Sequence, residues 1–310
     1  MLSHQVAWWQ GQGRVEQAID TFRPDVVQLQ TIHNFWPAWL EIARQVQDSG
    51  IPHVWAIMDY WPFCRQRMLL SAGLSGHSCP AVEGVCDGHC PAGRSPAEWL
   101  ERVNGSPVLA YNRFTAEIYR RNGLRRDHVA ELGVDTDLFA PDWRQRDPEP
   151  SVYTSAAWPE IPVKGMHVAA EAAKLSGCRV NLLAHVAREQ VAEGLKRAHV
   201  YLFPSIYQET WGLSLNEAMA SGCACIASDV AGARAQIEQG VTGHLVPPGD
   251  VRALAEAIDW LVHDPVWRRQ LGETAREHVL AEHTLEAMGR RFEAVYQDVV
   301  TAHQREEVLA

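Results

Sequence analysis

Short apolar runs alternate with amphipathic stretches along most of this 310-residue chain, and this alternation constrains its fold more than any other feature. Runs of this length, each followed by a stretch with helical periodicity, are typical of strands in a parallel sheet with helices on both faces. The predicted strands are 25–30, 53–58, 108–111 and 128–132 in a first set, and 152–155, 179–184, 199–203, 224–228 and 244–246 in a second. The chain is therefore predicted to be an α/β protein with doubly wound parallel sheets.

A polar, proline-rich segment separates the two sets of strands. It covers residues 141–150 and contains Pro141, Pro148 and Pro150, a composition typical of a linker. With 46% hydrophobic residues, the chain is long enough for two cores. We therefore expect Rossmann-like domains at 1–140 and 151–284, facing each other across a cleft, followed by a C-terminal helical segment at 285–310.

Composition argues against nucleic-acid-binding, membrane-spanning and secreted proteins. The formal net charge is -10 and the sequence pI about 5.8, without a long basic run, which argues against nucleic acid as a partner. No apolar stretch reaches the ~20 residues needed to span a bilayer, and the residues after Met1 lack the charged start and apolar core of a secretory signal. We expect a cytoplasmic protein, and peripheral contact with the inner membrane face stays open.

Two spaced carboxylates are the strongest functional signal. Glu209 lies in a polar loop after a predicted strand, and Glu217 follows within a helix that Gly222 terminates. Unpaired N–H groups at the start of that helix, near Gly212 and Leu213, suit a diphosphate. Glu217, one turn further on, is placed to accept two hydrogen bonds from a ribose diol. Glu209 would meet sugar hydroxyls or the charge that develops at a breaking bond. The alternative is a pair of solvated glutamates beside an ordinary helix.

The region around these glutamates resembles the signature of family 4 glycosyltransferases, which are retaining enzymes of the two-domain GT-B fold. The similarity runs through 200–222, 227–232 and 242–250. The Lys164-Gly165 step and the segment 133–135 match as well. Together the matching segments cover most of residues 150–265.

The resemblance implies transfer of a sugar, of hexosyltransferase type, from a nucleotide-diphosphate donor to an acceptor hydroxyl with retention of configuration, without a catalytic metal. Such enzymes serve polysaccharide or glycoconjugate biosynthesis. The first domain would bind the acceptor, the second the nucleotide sugar, and the last helix would cross back to the first. Lys164 would contact the diphosphate and the leaving group, and Trp211, Gly212, Leu213 and Glu217 would bind the donor. Trp211 would equally suit a core.

Several residues depart from the family pattern. Met58 precedes Asp59 where relatives normally carry histidine, and a thioether does not exchange protons. His33, at the end of a predicted strand, is a catalytic candidate facing the cleft, with a structural role as the alternative. Trp158 replaces an arginine that often binds phosphate, and Ala235 replaces a glutamate. A non-catalytic or partner-dependent homologue, acting as a binding subunit, is therefore the alternative function.

The first domain is expected to be incomplete. Relatives carry a strand, a glycine-rich loop and further strands before the segment that corresponds to 25–30, whereas 24 residues precede it here. Segment 25–30 would then form an exposed parallel edge. Three explanations stay open: cover by the N-terminal segment 6–9, cover by a partner chain, or a start codon placed too late in the gene.

Four cysteines cluster in a loop rich in glycine and proline at 64–91: Cys64, Cys79, Cys86 and Cys90. Four thiolates suit a structural zinc ion, and some family members carry a similar cysteine-bearing insertion. The spacing is irregular, with three residues between Cys86 and Cys90. Zinc-free cysteines in an acceptor-side loop are the alternative.

Overall fold

The protein contains two parallel β-sheets with helices on their faces. The computed structural model describes residues 13–30, 38–60, 62, 64, 97–125 and 127–309. Every paired strand within these ranges runs parallel to its neighbours. The predicted fold class is therefore confirmed.

The first sheet has the strand order β1-β2-β3-β4. Its elements in chain order are α1 (Gly13–Phe22), β1 (Val27–Gln30), α2 (Ala38–Asp48), β2 (His53–Ala56), α3 (Ala97–Asn104), β3 (Val108–Ala110), α4 (Arg113–Arg121) and β4 (Asp127–Val129). Trp55 of β2 pairs with Val108 of β3, and both are fully buried. Among the described strands β1 lies at one edge. Residues 6–9, one of the three candidate explanations for its cover, fall outside the described ranges.

The second sheet has the order β6-β5-β7-β8-β9. Its elements are β5 (Val152–Ala156), a 3₁₀ helix (Pro162–Lys164), α5 (Met166–Ser176), β6 (Val180–Ala184), α6 (Arg188–Arg197), β7 (Val200–Phe203), α7 (Leu213–Ala220), β8 (Ala224–Ser228), α8 (Ala231–Gln236), β9 (His244–Val246), α9 (Val251–His263), α10 (Pro265–Glu282) and α11 (Leu285–Leu309). The order changes direction between β5 and β7. Such a switch point leaves a crevice at the carboxyl ends of the strands, where open α/β sheets bind ligands.

Helices cover both faces of the second sheet. Val200 and Leu202 of β7 pack into a core with α5 and α9, whereas Tyr201 and Phe203 pack into a core with α7 and α10. Alternate side chains of a strand point to opposite faces, so β7 is hydrophobic throughout because both faces are buried. These two cores hold the carboxyl ends of β5 and β7 in place.

The last helix, α11, packs against the first sheet. Val295 and Val299 join a cluster with Val54 and Leu109, and the Tyr296 hydroxyl lies 2.6 Å from Gln28 Oε1. Near the start of this helix, the Val134 N–H donates to the carbonyl oxygen of His283 at 2.9 Å. The elements of the first sheet, called the first unit below, therefore contact those of the second sheet, called the second unit, through α11 and the residues just before it.

The segment 141–150 forms neither helix nor strand. Its Arg146 side chain donates to the carbonyl oxygens of Ser221 and Gly222, each at 2.9 Å, and is thereby attached to the second unit. Within the described ranges, none of the helices combines the length and apolar composition needed to cross a membrane.

Candidate active site at the switch point

Lys164 is brought to the switch point by close backbone contact. It ends the 3₁₀ helix after β5, and the N–H of Ile206, beyond β7, donates to the Val163 carbonyl at 2.9 Å. Gly165 follows in the left-handed region with φ 71°, and a Cβ atom there would lie 1.8 Å from the Pro204 carbonyl oxygen. The Lys164-Gly165 step therefore requires glycine, because its backbone lies directly against the end of β7.

The Glu209 carboxylate is held at this point by hydrogen bonds to both oxygens. Lys164 Nζ lies 2.6 Å from Oε1, and Ser205 Oγ donates to the same oxygen at 2.9 Å. The Tyr207 hydroxyl donates to Oε2 at 2.5 Å. Because the Glu209 residue is 7% exposed, these contacts orient its side chain in a largely buried setting.

Tyr207 is a site residue that the sequence reasoning missed. Burial and then the adjacent Glu209 carboxylate raise the pKa of its phenol well above the ordinary value, so the hydroxyl remains a donor. Lys164 Nζ also lies 3.3 Å from this hydroxyl and 5.0 Å from the ring centroid. A phenol two positions before Glu209 in the same loop was the available signal.

The start of α7 presents free backbone donors. Gly212 precedes the helix at φ 102°, where a Cβ would lie 2.8 Å from the Phe203 ring. Leu213, the first helical residue, is 52% exposed. Among the described residues, no acceptor lies within hydrogen-bond distance of the N–H groups of Leu213 and Ser214. These two groups, together with the helix dipole, form an anion-binding end.

Glu217 lies one turn along α7. Its side chain is 16% exposed, and Arg188 Nε, at the start of α6, is 3.4 Å from its Oε1. Burial raises the pKa of Glu217, and the Arg188 charge opposes part of that shift. The Arg188 guanidinium also lies 5.0 Å over the Phe139 ring. The long Arg188 contact leaves acceptor capacity on the Glu217 carboxylate, and sequence reasoning did not identify Arg188.

Trp211 belongs to the core. It is 2% exposed and clusters with Val54, Ala56 and Leu109 of the first sheet and with Val295 of α11. The structure thus favours the core alternative for its side chain.

The backbone of the Glu209 loop is fixed by α8. The Gly232 N–H donates to the Glu209 carbonyl at 2.8 Å, and Gln236 Nε2 donates to the Trp211 carbonyl at 2.7 Å. A Cβ at Gly232 would lie 2.1 Å from the Trp211 carbonyl oxygen. Gly232 therefore allows the close approach of α8 that positions this loop.

The loop also contacts the first unit. Asn112 Nδ2 donates to the Thr210 carbonyl at 2.5 Å, and the Thr210 hydroxyl donates to the Met58 carbonyl at 2.8 Å. The Met58 side chain is 41% exposed, and Gln30 Nε2 lies 3.0 Å from its sulfur. Trp158, 60% exposed, projects into solvent. His33 lies outside the described residues, so its catalytic role stays a prediction.

The proposed zinc ligands receive no support. Cys64 is buried in the first core, whereas Cys79, Cys86 and Cys90 lie outside the described residues. Within the described ranges, no group of three His, Cys, Asp or Glu side chains has an arrangement suited to a metal ion.

Comparison with known proteins agrees with this geometry. Residues 164–278 match the family "Glycosyl transferases group 1". The segment includes Lys164, Glu209 and all of α7. The chain is 34% identical over 119 residues to phosphatidyl-myo-inositol mannosyltransferase of Mycobacterium leprae, covering 38% of this chain and 32% of the relative. The chain is also 36% identical over 113 residues to N-acetyl-alpha-D-glucosaminyl L-malate synthase of Bacillus anthracis, covering 36% of this chain and 29% of the relative. The match thus spans about a third of these relatives.

Solved structures of other proteins resemble nearly the whole chain in fold. Sucrose-phosphate synthase from Thermosynechococcus elongatus superposes with a TM-score of 0.72 at 20% identity, covering 94% of this chain and 77% of that one. Anabaena HepE in complex with UDP and glucose superposes with a TM-score of 0.69 at 16% identity, covering 94% and 84%. The fold is GT-B. Residues 164–278 therefore carry the similarity to the group 1 glycosyltransferases.

Proposed function

We propose that this protein is a glycosyltransferase that moves a sugar from a nucleotide-diphosphate donor to an acceptor hydroxyl with retention of configuration. One observation carries the proposal: an ammonium group, a buried carboxylate and a helix start with free N–H groups lie together at the switch point. A diphosphate needs cations and N–H donors, whereas the sugars on either side of it need oxygen acceptors. The site supplies both.

The donor is bound along α7. Its diphosphate accepts hydrogen bonds from the N–H groups of Leu213 and Ser214 and takes the Lys164 ammonium as counterion. The Glu217 carboxylate accepts hydrogen bonds from the ribose diol, which replaces the 3.4 Å contact with Arg188 Nε. Since the Arg188 side chain is 49% exposed, it can move away at low cost.

Transfer requires stabilisation of the charge that develops on the leaving diphosphate. Lys164 and the α7 N–H groups are aimed at that charge before the reaction begins, so little reorganisation is needed. Glu209 orients the Lys164 ammonium and presents its carboxylate to hydroxyls of the transferred sugar. Tyr207 and Ser205 keep that carboxylate in position.

The remaining assignments are also proposals. We assign acceptor binding to a first domain, 1–140, and donor binding to 151–284, with 285–310 crossing back. The acceptor class stays open among sugars, lipid carriers, natural products and proteins. Cytoplasmic location, peripheral membrane contact and a partner chain that completes the first domain stay proposals.

A donor panel tests the proposal. UDP is the first probe, because solved HepE structures contain UDP and UDP-glucose. We expect one nucleotide sugar to raise the melting temperature and to be hydrolysed slowly, and both effects to disappear in Lys164→Ala with Glu217→Ala. Glu256→Ala, an exposed position on α9, is the control. Donor binding without turnover in the presence of acceptor panels would favour the non-catalytic homologue, and absence of any donor binding would refute both.

A further inference from the structure

A second cavity lies on the opposite edge of the second sheet. It has a volume of about 360 Å³ and is lined in part by Trp143, Arg146, His199, Arg268 and Arg269, which we call the arginine pocket. His199 directly precedes β7, whereas Glu209 follows that strand. The arginine pocket is therefore at the amino ends of the strands, separate from the candidate active site.

Two guanidinium groups in this pocket are fixed by backbone carbonyls. Besides its bonds to Ser221 and Gly222, Arg146 Nη1 donates to the Leu195 carbonyl at 3.1 Å, and the guanidinium lies 4.9 Å from the Trp143 ring centroid. Arg268 Nη1 donates to the carbonyls of Leu261 and Val262 at 2.7 and 2.8 Å. A guanidinium has five N–H donors. Among the described residues, no acceptor lies within hydrogen-bond distance of Arg146 Nε or of Arg268 Nε and Nη2, so these donors can bind a ligand.

The pocket carries more cationic than anionic side chains. The Asp264 carboxylate opposes part of the lowering that burial causes in the pKa of Arg268. Among the described residues, no carboxylate oxygen lies within ion-pair distance of Arg146 or Arg268, whereas Arg269 pairs with Glu273 at 2.7 Å. Burial, then the charges of Arg268 and Arg146, lower the pKa of His199 to about 4, and Asp147 opposes this only in part. In a chain of net charge -10, such a concave cationic site is unusual.

We propose that the arginine pocket binds the phosphate group of a small phosphorylated sugar. Preorganised guanidinium N–H groups are well suited to phosphate oxygens. The cavity falls in the size range of small-molecule sites and is larger than a phosphate ion requires. The indole of Trp143, 48% exposed and next to Arg146, offers an apolar face against which the sugar ring packs.

The carbonyl contacts alone have a structural explanation. Arg146 and Arg268 neutralise the carboxyl ends of α6, α7 and α9, where cations are favourable. That role uses the Nη1 atoms and Arg146 Nη2 but leaves Arg146 Nε and the other Arg268 donors unused. His199 Nδ1 accepts from the Ser151 N–H at 3.3 Å, and the Trp143 ring lies against Gly222, but neither contact neutralises a helix end. A purely structural role therefore predicts that His199→Gln and Trp143→Leu have no effect on anion binding.

Calorimetric titration in the Lys164→Ala background separates the two explanations, because that background weakens phosphate binding at the candidate active site. The probes are inorganic phosphate and a hexose monophosphate, at constant ionic strength set with sodium chloride. We expect millimolar or tighter binding, with the hexose phosphate favoured. Arg268→Gln should weaken both ligands about tenfold, the loss of one charge-assisted contact. Trp143→Leu should remove the preference for the hexose phosphate. Arg252→Gln, exposed on α9, is the control.

Sulfate supplies a second measurement, since its charge is constant between about pH 5 and pH 8. A bound anion raises the pKa of His199, so sulfate should bind more tightly at pH 5 than at pH 8. His199→Gln should abolish this pH dependence. If Arg268→Gln fails to fold, the His199→Gln and Trp143→Leu variants still test whether the arginine pocket binds the anion. Binding unchanged in both of these variants, or absence of hexose phosphate binding in the parent protein, would overturn the proposal.

Discussion

Lys164 Nζ and Glu209 Oε1 lie 2.6 Å apart, although the two residues are separated by 45 positions in the chain. Each follows a different strand, β5 and β7, on either side of the switch point. Their contact therefore depends on the strand order of the second sheet. It provides a cation whose position is already set when a donor arrives.

We expect Lys164→Ala to weaken UDP much more than uridine. The variant removes the ammonium that faces the diphosphate, a loss of about 1.5 kcal/mol or more, roughly tenfold in affinity. Calorimetric titration of both ligands checks this. Lys174→Ala, at an exposed position on α5, is the matched control. An unchanged ratio of the two affinities would reject the phosphate role.

Substitutions of Glu217 and Glu209 should affect different parameters, donor affinity in the first case and turnover in the second. Glu217→Ala removes acceptors for the ribose diol and should raise the donor Kd roughly tenfold. Glu209→Ala removes a contact to the reacting sugar and should lower kcat with a smaller change in KM. Steady-state kinetics with the donor identified by the panel checks both. Equal effects of the two variants on both parameters would contradict these roles.

Tyr207→Phe should lower kcat about tenfold, because Glu209 Oε2 loses a hydrogen bond of the kind worth about 1.5–3 kcal/mol. KM for the donor should change little, because Tyr207 acts through Glu209 and Lys164. Tyr153→Phe is the control, since its hydroxyl donates to Asp147 Oδ2 at 3.2 Å in the linker region. A KM effect as large as the kcat effect would show that Tyr207 binds the donor directly.

Gly165→Ala should destabilise the protein far more than Gly177→Ala. Both glycines have left-handed backbone, with φ 71° and 67°, but only at Gly165 would the Cβ meet a carbonyl oxygen, at 1.8 Å. Gly177→Ala therefore isolates the conformational cost of about 1–2 kcal/mol, and Gly165→Ala adds a backbone displacement for a total of at least about 3 kcal/mol. Urea unfolding checks the difference. An equal decrease in the unfolding free energy of both variants would mean that the backbone at the end of β7 can move away from the new Cβ at no cost.

Stability should fall in acid through His283. Burial, then the charges of His278 and Arg291, lower its pKa from 6.5 to about 3, so between these pH values the unfolded chain binds a proton that the folded one does not. The unfolding free energy therefore decreases as pH falls through this window, by at most about 1.4 kcal/mol per pH unit. Denaturant unfolding at several pH values checks this. His283→Asn should give a shallower decrease, and the exposed His263→Asn should not.

Much of the architecture was predictable because it depends on local periodicity and on residues at the ends of elements. The strands at 224–228 and 244–246 were predicted with their observed bounds, and Asp250 caps α9 by accepting from Arg252 N and Ala253 N. The helical pattern after Gly212, terminated by Gly222, likewise predicted Glu209 in a loop and Glu217 on a helix. Such features require only short-range hydrogen bonding and the burial of alternate side chains.

Long-range contacts were not predictable in the same way. Trp211 was ambiguous in the sequence, and its burial depends on how α11 returns to the first sheet. Tyr207 and Arg188 were missed because their distances to Glu209 and Glu217 depend on loops that meet only after the strands have paired. Residue types and local spacing thus indicated the chemistry and the elements that carry it. The partners of each charged group followed from strand order and domain packing, because these set which distant segments share one buried volume.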